Sequence, residues 1–218
     1  MSDIDTNQTV ATFAAGLPGA AGVFRRHGVS FCCGGQHSLA EAAAAAGIPV
    51  ETLMHDLQAL VDSAGQDAPQ DTGLLISHIL GRYHEAHRAE LNSLIPLAEK
   101  VERVHGEHPE APLGLADVLV RLQRDLEERM REEEQVLFPM MQSGDSEMVR
   151  VLLTGMCEKH QAEARYTGEI EDVTHGLSVP AGACNSWRAL YAGMRKLCDD
   201  LVAHGHLENT KLFPRFRQ

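Results

Sequence analysis

From Thr72 onward, apolar residues recur at helical spacing through four long stretches, at about 73–104, 114–142, 145–172 and 182–212. Pro96 falls inside the first, where a helix is prone to kink. Short connections join each stretch to the next, which predicts an up-down-up-down four-helix bundle. The inward stripe of the fourth can be followed step by step through Trp187, Leu190, Tyr191, Met194, Leu197, Leu201, His204, Glu208 and Leu212. Polar residues enter that stripe only near one end.

Ahead of the bundle, the pattern breaks into shorter helices. Thr9 caps one through Ala15, and Pro18 stands in the first turn of another reaching His27. Ser38 caps an alanine-rich segment that Gly47 ends. Pro49 opens a last helix, with Val50, Leu53, Met54, Leu57, Leu60 and Val61 on its apolar face. The expected fold class is all-α: a small N-terminal helical domain over 1–65, a linker over 66–72, and the four-helix bundle over 73–218.

Composition narrows the function. Few aromatics, at 5%, and abundant Ala, Leu, Glu and Arg favour helix over sheet. A formal charge of −12 without a basic stripe excludes a nucleic-acid partner. No apolar run is long enough for a membrane span, and the opening residues lack the basic region and apolar core of an export signal. Five cysteines without scaffold spacing fit a reducing compartment, so the expected location is the cytoplasm.

An internal repeat carries the chemistry. Glu133 is followed after three residues by Leu137, Phe138 and Pro139, and Glu208 in the same way by Leu212, Phe213 and Pro214. On the first and third helices, His84 and His160 lie on inward stripes: Leu80, His84, His87, Leu91 and Val149, Met156, His160, Glu163. His84 and His160 are 76 residues apart, and Glu133 and Glu208 are 75 apart, so the two halves run nearly in register. Burying His84, Glu133, His160, His204 and Glu208 at one level costs several kcal/mol, about that much for each unpaired charge. A metal ion removes the cost. Imidazole and carboxylate without thiolate suit iron, manganese or zinc, and carboxylates able to bridge favour two irons.

These residues resemble a known family. The C-terminal part is similar to a hemerythrin-like domain. The whole chain resembles the iron–sulfur cluster repair di-iron proteins, also called regulators of cell morphogenesis and NO signalling. The resemblance rests on Phe31 to Gly35 with Cys32 and Cys33, on Arg82-Tyr83-His84, on the segment ending at Pro139, and on His204 through Pro214. It implies a non-haem di-iron site bridged by Glu133 and Glu208, with His84 and His204 on one iron and His160 on the other. It also implies damaged iron–sulfur proteins as partners, nitric oxide as a small-molecule ligand, and a homodimer. The implied roles are iron supply to damaged clusters first and NO reduction to nitrous oxide second. The alternative is a non-catalytic O2- or NO-sensing protein, or a degenerate member with a mononuclear site.

One expected ligand is missing. The family pattern places His four residues before the second helix's glutamate, and Arg129 stands there. A guanidinium has no lone pair to offer. Three outcomes remain open: a weak or absent second iron; a shell completed by His87, Glu163 or Glu132; or Arg129 paired with Glu133. A retained but asymmetric iron site is the expectation. Cys32 and Cys33, beside Gly34 and Gly35 and just before a capped helix, are expected to act as thiolates in redox exchange or transient iron binding. The other histidines and cysteines read as ordinary polar or packing residues.

Overall fold

The computed structural model describes residues 4–29, 36–63, 69–144 and 146–217, without the side chains of 15, 25, 62, 63, 146 and 157–164. Cys32 and Cys33 lie outside the described residues.

Local capping shapes the N-terminal helices. In α1 (Val10–Gly16), the Thr9 hydroxyl accepts from the Thr12 amide at 3.2 Å. The helix α2 (Ala20–Arg26) starts later than Pro18, because Gly19 adopts φ 82°, a left-handed conformation outside a helix. Ahead of α3 (Leu39–Ala46), Ser38 and Glu41 form a reciprocal capping box, worth about 1 kcal/mol. Gly47 ends α3 at φ 71°. With α4 (Val50–Ser63), these helices bury Val10, Phe13, Val23, Phe24, Leu39, Leu53 and Leu57 in a core of their own.

Four rods follow. The first comprises α5 (Thr72–Ile79), a widened π turn (Leu80–His84) and α6 (Glu85–His105), which continues through Pro96. The second comprises α7 (Leu115–Glu132), a π turn (Glu133–Leu137) and α8 (Phe138–Ser143). The third is α9 (Ser146–Val173). The fourth comprises α10 (Asn185–Leu207), a π turn (Glu208–Leu212) and a closing 3₁₀ turn (Phe213–Phe216). Helix α10 starts at Asn185 rather than 182, since Gly182 sits in a turn at φ 83°. Helix α6 packs on α7 and α10, α7 on α9, and α9 on α10, closing a ring of four.

Two apolar clusters fill the ring. One runs from Leu91 and Leu126 to Trp187 and Leu197; the other gathers Leu75, Ile79, Phe138, Met156, Leu212 and Phe213. The polar end of the fourth stripe is therefore a layer between two apolar clusters, not an open end. Among the described residues, no helix is long and apolar enough to cross a membrane. The N-terminal helices touch the bundle where the His206 Nδ1–H donates to the Gly16 carbonyl at 2.9 Å, a role its sequence context did not announce.

Candidate metal centre

Three π turns each deliver a polar side chain to the polar layer: His84, Glu133 and Glu208. In two of them the duplicated motif supplies the cause. Pro139 and Pro214 lack an N–H and crowd the carbonyl four residues back, so the preceding Phe amide reaches back to the Glu carbonyl instead. The Leu80–His84 turn widens without a proline. What all three share is a ligand-type side chain turned into the core. Such a local widening leaves no trace in helical periodicity, so the sequence predicted unbroken helices.

His84, Glu133, His204 and Glu208 are all fully buried. One ligand atom from each lies within 4.8 Å of the others. His84 Nε2 stands 3.3 Å from Glu133 Oε2, and His204 Nε2 stands 3.2 Å from Glu208 Oε1. Neither imidazole nitrogen makes a hydrogen bond in this position. The backbone of His160 belongs to α9, but its side chain lies outside the described residues.

Arg129 enters the same layer, with only 2% of its surface exposed. Its Nη1 donates to Glu133 Oε1 at 2.7 Å and to Glu208 Oε2 at 3.1 Å. Its Nη2 makes a long 3.4 Å contact with His204 Nδ1. Of the groups able to complete a ligand shell, Glu163 has no described side chain and Glu132 is half-buried outside the four-residue group. His87 is fully buried near the His204 ring, 5.4 Å between centroids, yet it too lies outside that group.

A second set of polar side chains orients the candidate ligands. His84 Nδ1 is 2.8 Å from Glu134 Oε1; a carboxylate only accepts, so Nδ1 donates, and in the neutral imidazole the lone pair is left on Nε2. Arg88 in turn holds Glu134 at 2.9 Å and Glu127 at 2.8 Å. The Tyr83 ring stacks on His204 at 5.1 Å. Arg82 grips Asp200 through two bonds of 3.0 and 2.7 Å, and Lys196 adds a third at 2.7 Å. Glu134 sits in a run of three glutamates, which in sequence reads as a solvated face. Only its i+1 placement beside Glu133 hints at this role.

The environment separates the histidines. For His84, burial opposes the charged form, but the Glu133 and Glu134 carboxylates outweigh it and hold the pKa above the ordinary value. For His204, burial dominates and holds the pKa below it. His87 is pushed down to about 2, by burial first and then by the neighbouring His204 and Arg129 charges. The folded pKa thus lies below the unfolded one, near 6.5. Its stabilising contribution is complete above pH 6.5 and is lost as pH falls towards 2, because only the unfolded chain takes up the proton. The metal-free protein should therefore lose about 2 kcal/mol through His87 between pH 8 and pH 5. Urea unfolding of wild type beside His87→Phe measures it. Equal pH dependence in both proteins would mean that His87 is protonated when folded.

The donor set fits a metal ion: two buried imidazole nitrogens without hydrogen bonds, converging with two carboxylates. Comparison with known proteins decides the family. Residues 75–216 match the model described as Hemerythrin HHE cation binding domain, and residues 6–61 match one described as Domain of Unknown function (DUF542). Over 212 residues, 96% of each chain, the protein is 41% identical to an iron-sulfur cluster repair protein YtfE of Yersinia pestis (strain Pestoides F). This chain belongs to the iron-sulfur cluster repair family. A relative of the same description from Yersinia pseudotuberculosis serotype IB (strain PB1/+) is also 41% identical over 96% of each chain. That from Y. pseudotuberculosis serotype O:1b (strain IP 31758) is 40% identical over the same share. The buried His/Glu layer lies within the segment that matches the cation-binding domain model.

Proposed function

We propose that the chain binds non-haem iron through His84, Glu133, His204 and Glu208, with His160 as a further donor from α9, and uses it in repairing iron–sulfur clusters damaged by nitrosative or oxidative stress. The observation that carries this reading is the convergence of four buried donor atoms within 4.8 Å of one another. Bound there, iron supplies a redox-active cation that can be handed to a damaged cluster. The chain's own residues prepare the place. Glu134 fixes the His84 tautomer, Arg88 steadies Glu134, and Tyr83 holds the His204 ring. The apolar clusters above and below exclude water, which strengthens each ionic contact.

In this reading the partners are damaged iron–sulfur proteins in the cytoplasm, nitric oxide is a small-molecule ligand, and the chain pairs as a homodimer. Cys32 and Cys33 serve as thiolates for exchange with the client or transient holding of iron. The buried Arg129 favours iron supply over NO reduction, since reductive coupling of two NO molecules draws on two adjacent ferrous ions.

Iron analysis after anaerobic, iron-replete expression tests the proposal. Wild type should retain iron, while His84→Ala and Glu208→Ala should lose at least tenfold in iron affinity. Iron-loaded protein should restore a cluster-depleted ferredoxin. A wild-type chain that binds no iron sinks the reading, and so does an iron-loaded chain that restores nothing.

A further inference from the structure

We infer that the guanidinium of Arg129 takes the place of a second cation, so that this centre holds one metal ion beside a fixed organic one. The inference rests on the proposed iron site. Its basis is the way each carboxylate is divided. Glu133 turns Oε1 to Arg129 Nη1 at 2.7 Å and Oε2 towards His84 Nε2 at 3.3 Å. Glu208 turns Oε2 to the same Nη1 at 3.1 Å and Oε1 towards His204 Nε2 at 3.2 Å. One oxygen of each carboxylate therefore faces a single nitrogen of Arg129. The other oxygen of each faces the two imidazoles. Two carboxylates split in this manner are bridges between two positive centres, and one of those centres is already a side chain.

Charge and space both close the second position. Arg129 stands one turn before Glu133 on α7, so its side chain runs along the helix face into the layer. Among the described residues of the layer, two buried carboxylates carry two negative charges. The guanidinium offsets one, and a single divalent ion then leaves these groups with one excess positive charge. A second divalent ion would add two more beside a cation that cannot lose its proton. It would also meet Nη1 where it needs oxygen, since the guanidinium offers no lone pair.

The arrangement suits an ion that comes and goes. When the metal leaves, both carboxylates keep a charged partner, so the emptied layer does not have to open to stay folded. A centre bound by two ions has no such reserve. The substrate of this site is thus a single ferrous ion in transit to a client.

Metal stoichiometry decides the matter. Wild type, Arg129→His and Arg129→Ser are reconstituted anaerobically with excess ferrous iron, desalted, and measured by elemental analysis, then oxidised for electron paramagnetic resonance and Mössbauer spectroscopy. Wild type should bind one iron per chain and give an isolated high-spin ferric signal. Arg129→His should bind twice as much and give a spin-coupled pair. Arg129→Ser, which removes the cation without adding a ligand, should take the second iron more weakly than Arg129→His. Circular dichroism of the metal-free variants confirms that each is folded. Two irons in wild type would overturn the inference and leave the iron site standing. A folded Arg129→His that stops at one iron would also overturn it. Absence of iron from all three proteins would remove the iron site itself, and the inference with it.

Discussion

Metal-free Arg129→Met should be less stable than the metal-free wild type by about 3–5 kcal/mol, the usual cost of stripping one partner from a buried ionic group. Methionine keeps much of the volume of the arginine stem and fills the layer, so the loss is electrostatic rather than a cavity effect. Glu133 and Glu208 would then face each other without the Nη1 that now lies 2.7 and 3.1 Å from them. The loss should grow with pH, because carboxylates left without a cation must stay protonated to remain buried. It should shrink when Glu133→Gln and Glu208→Gln are added, since the amides carry no charge. Chemical denaturation of chelator-treated protein at several pH values checks all three statements. A difference below about 1 kcal/mol at neutral pH would mean that Arg129 neutralises nothing.

The second large effect belongs to the far end of the bundle. Trp187→Ala should cost about 3–5 kcal/mol, the range for deleting a buried aromatic ring. The ring is 1% exposed and packs against His105 at 5.0 Å, His108 at 5.3 Å and Tyr191 at 6.1 Å. It thereby ties the end of α6 to the start of α10. A neighbouring contact, His105 Nε2 to Cys184 Sγ at 3.1 Å, spans the same junction. Trp187 and His204 lie on the same helix, about 25 Å apart at 1.5 Å per residue. Iron stoichiometry below the unfolding transition should therefore be unchanged. Thermal melts paired with iron analysis test this, and a folded Trp187→Ala lacking iron would show that scaffold and centre are not separable.

The stripe that carries Trp187 was legible along its whole length. Of its nine residues only Leu201 is half-buried, and the other eight are buried. Helical period is a local property, and a face that must be dry in any bundle shows itself residue by residue. The helix ends were legible to within a few residues for the same reason. The late starts of α2 and α10 depend on the left-handed turns at Gly19 and Gly182, and glycine composition does not reveal its own φ.

Site residues divide along the same line. His84, Glu133, His204 and Glu208 stood out because a duplicated motif puts ionisable groups on dry faces. Glu134, Arg88 and Glu127 did not, because charged residues on a helix are ordinarily solvated and nothing in their spacing distinguishes a hydrogen-bonding role. His87 was visible on the inward stripe, but its isolation from any hydrogen-bond partner depends on what the neighbouring rods present to it.

Arg129 marks the boundary most clearly. The sequence by itself determined the four rods, the dry stripes, the matched positions of the candidate ligands and the absence of an imidazole at residue 129. It also determined that whatever stood there would be a permanent cation. Only the tertiary structure decided that this cation turns inward and is shared between Glu133 and Glu208, residues 75 apart in the chain. The reason is physical. An arginine on an isolated helix reaches for water, and it stays buried only where opposite charges are already held in place. One of those charges comes from its own helix, and the other exists at that point only after α10 has packed against the rest.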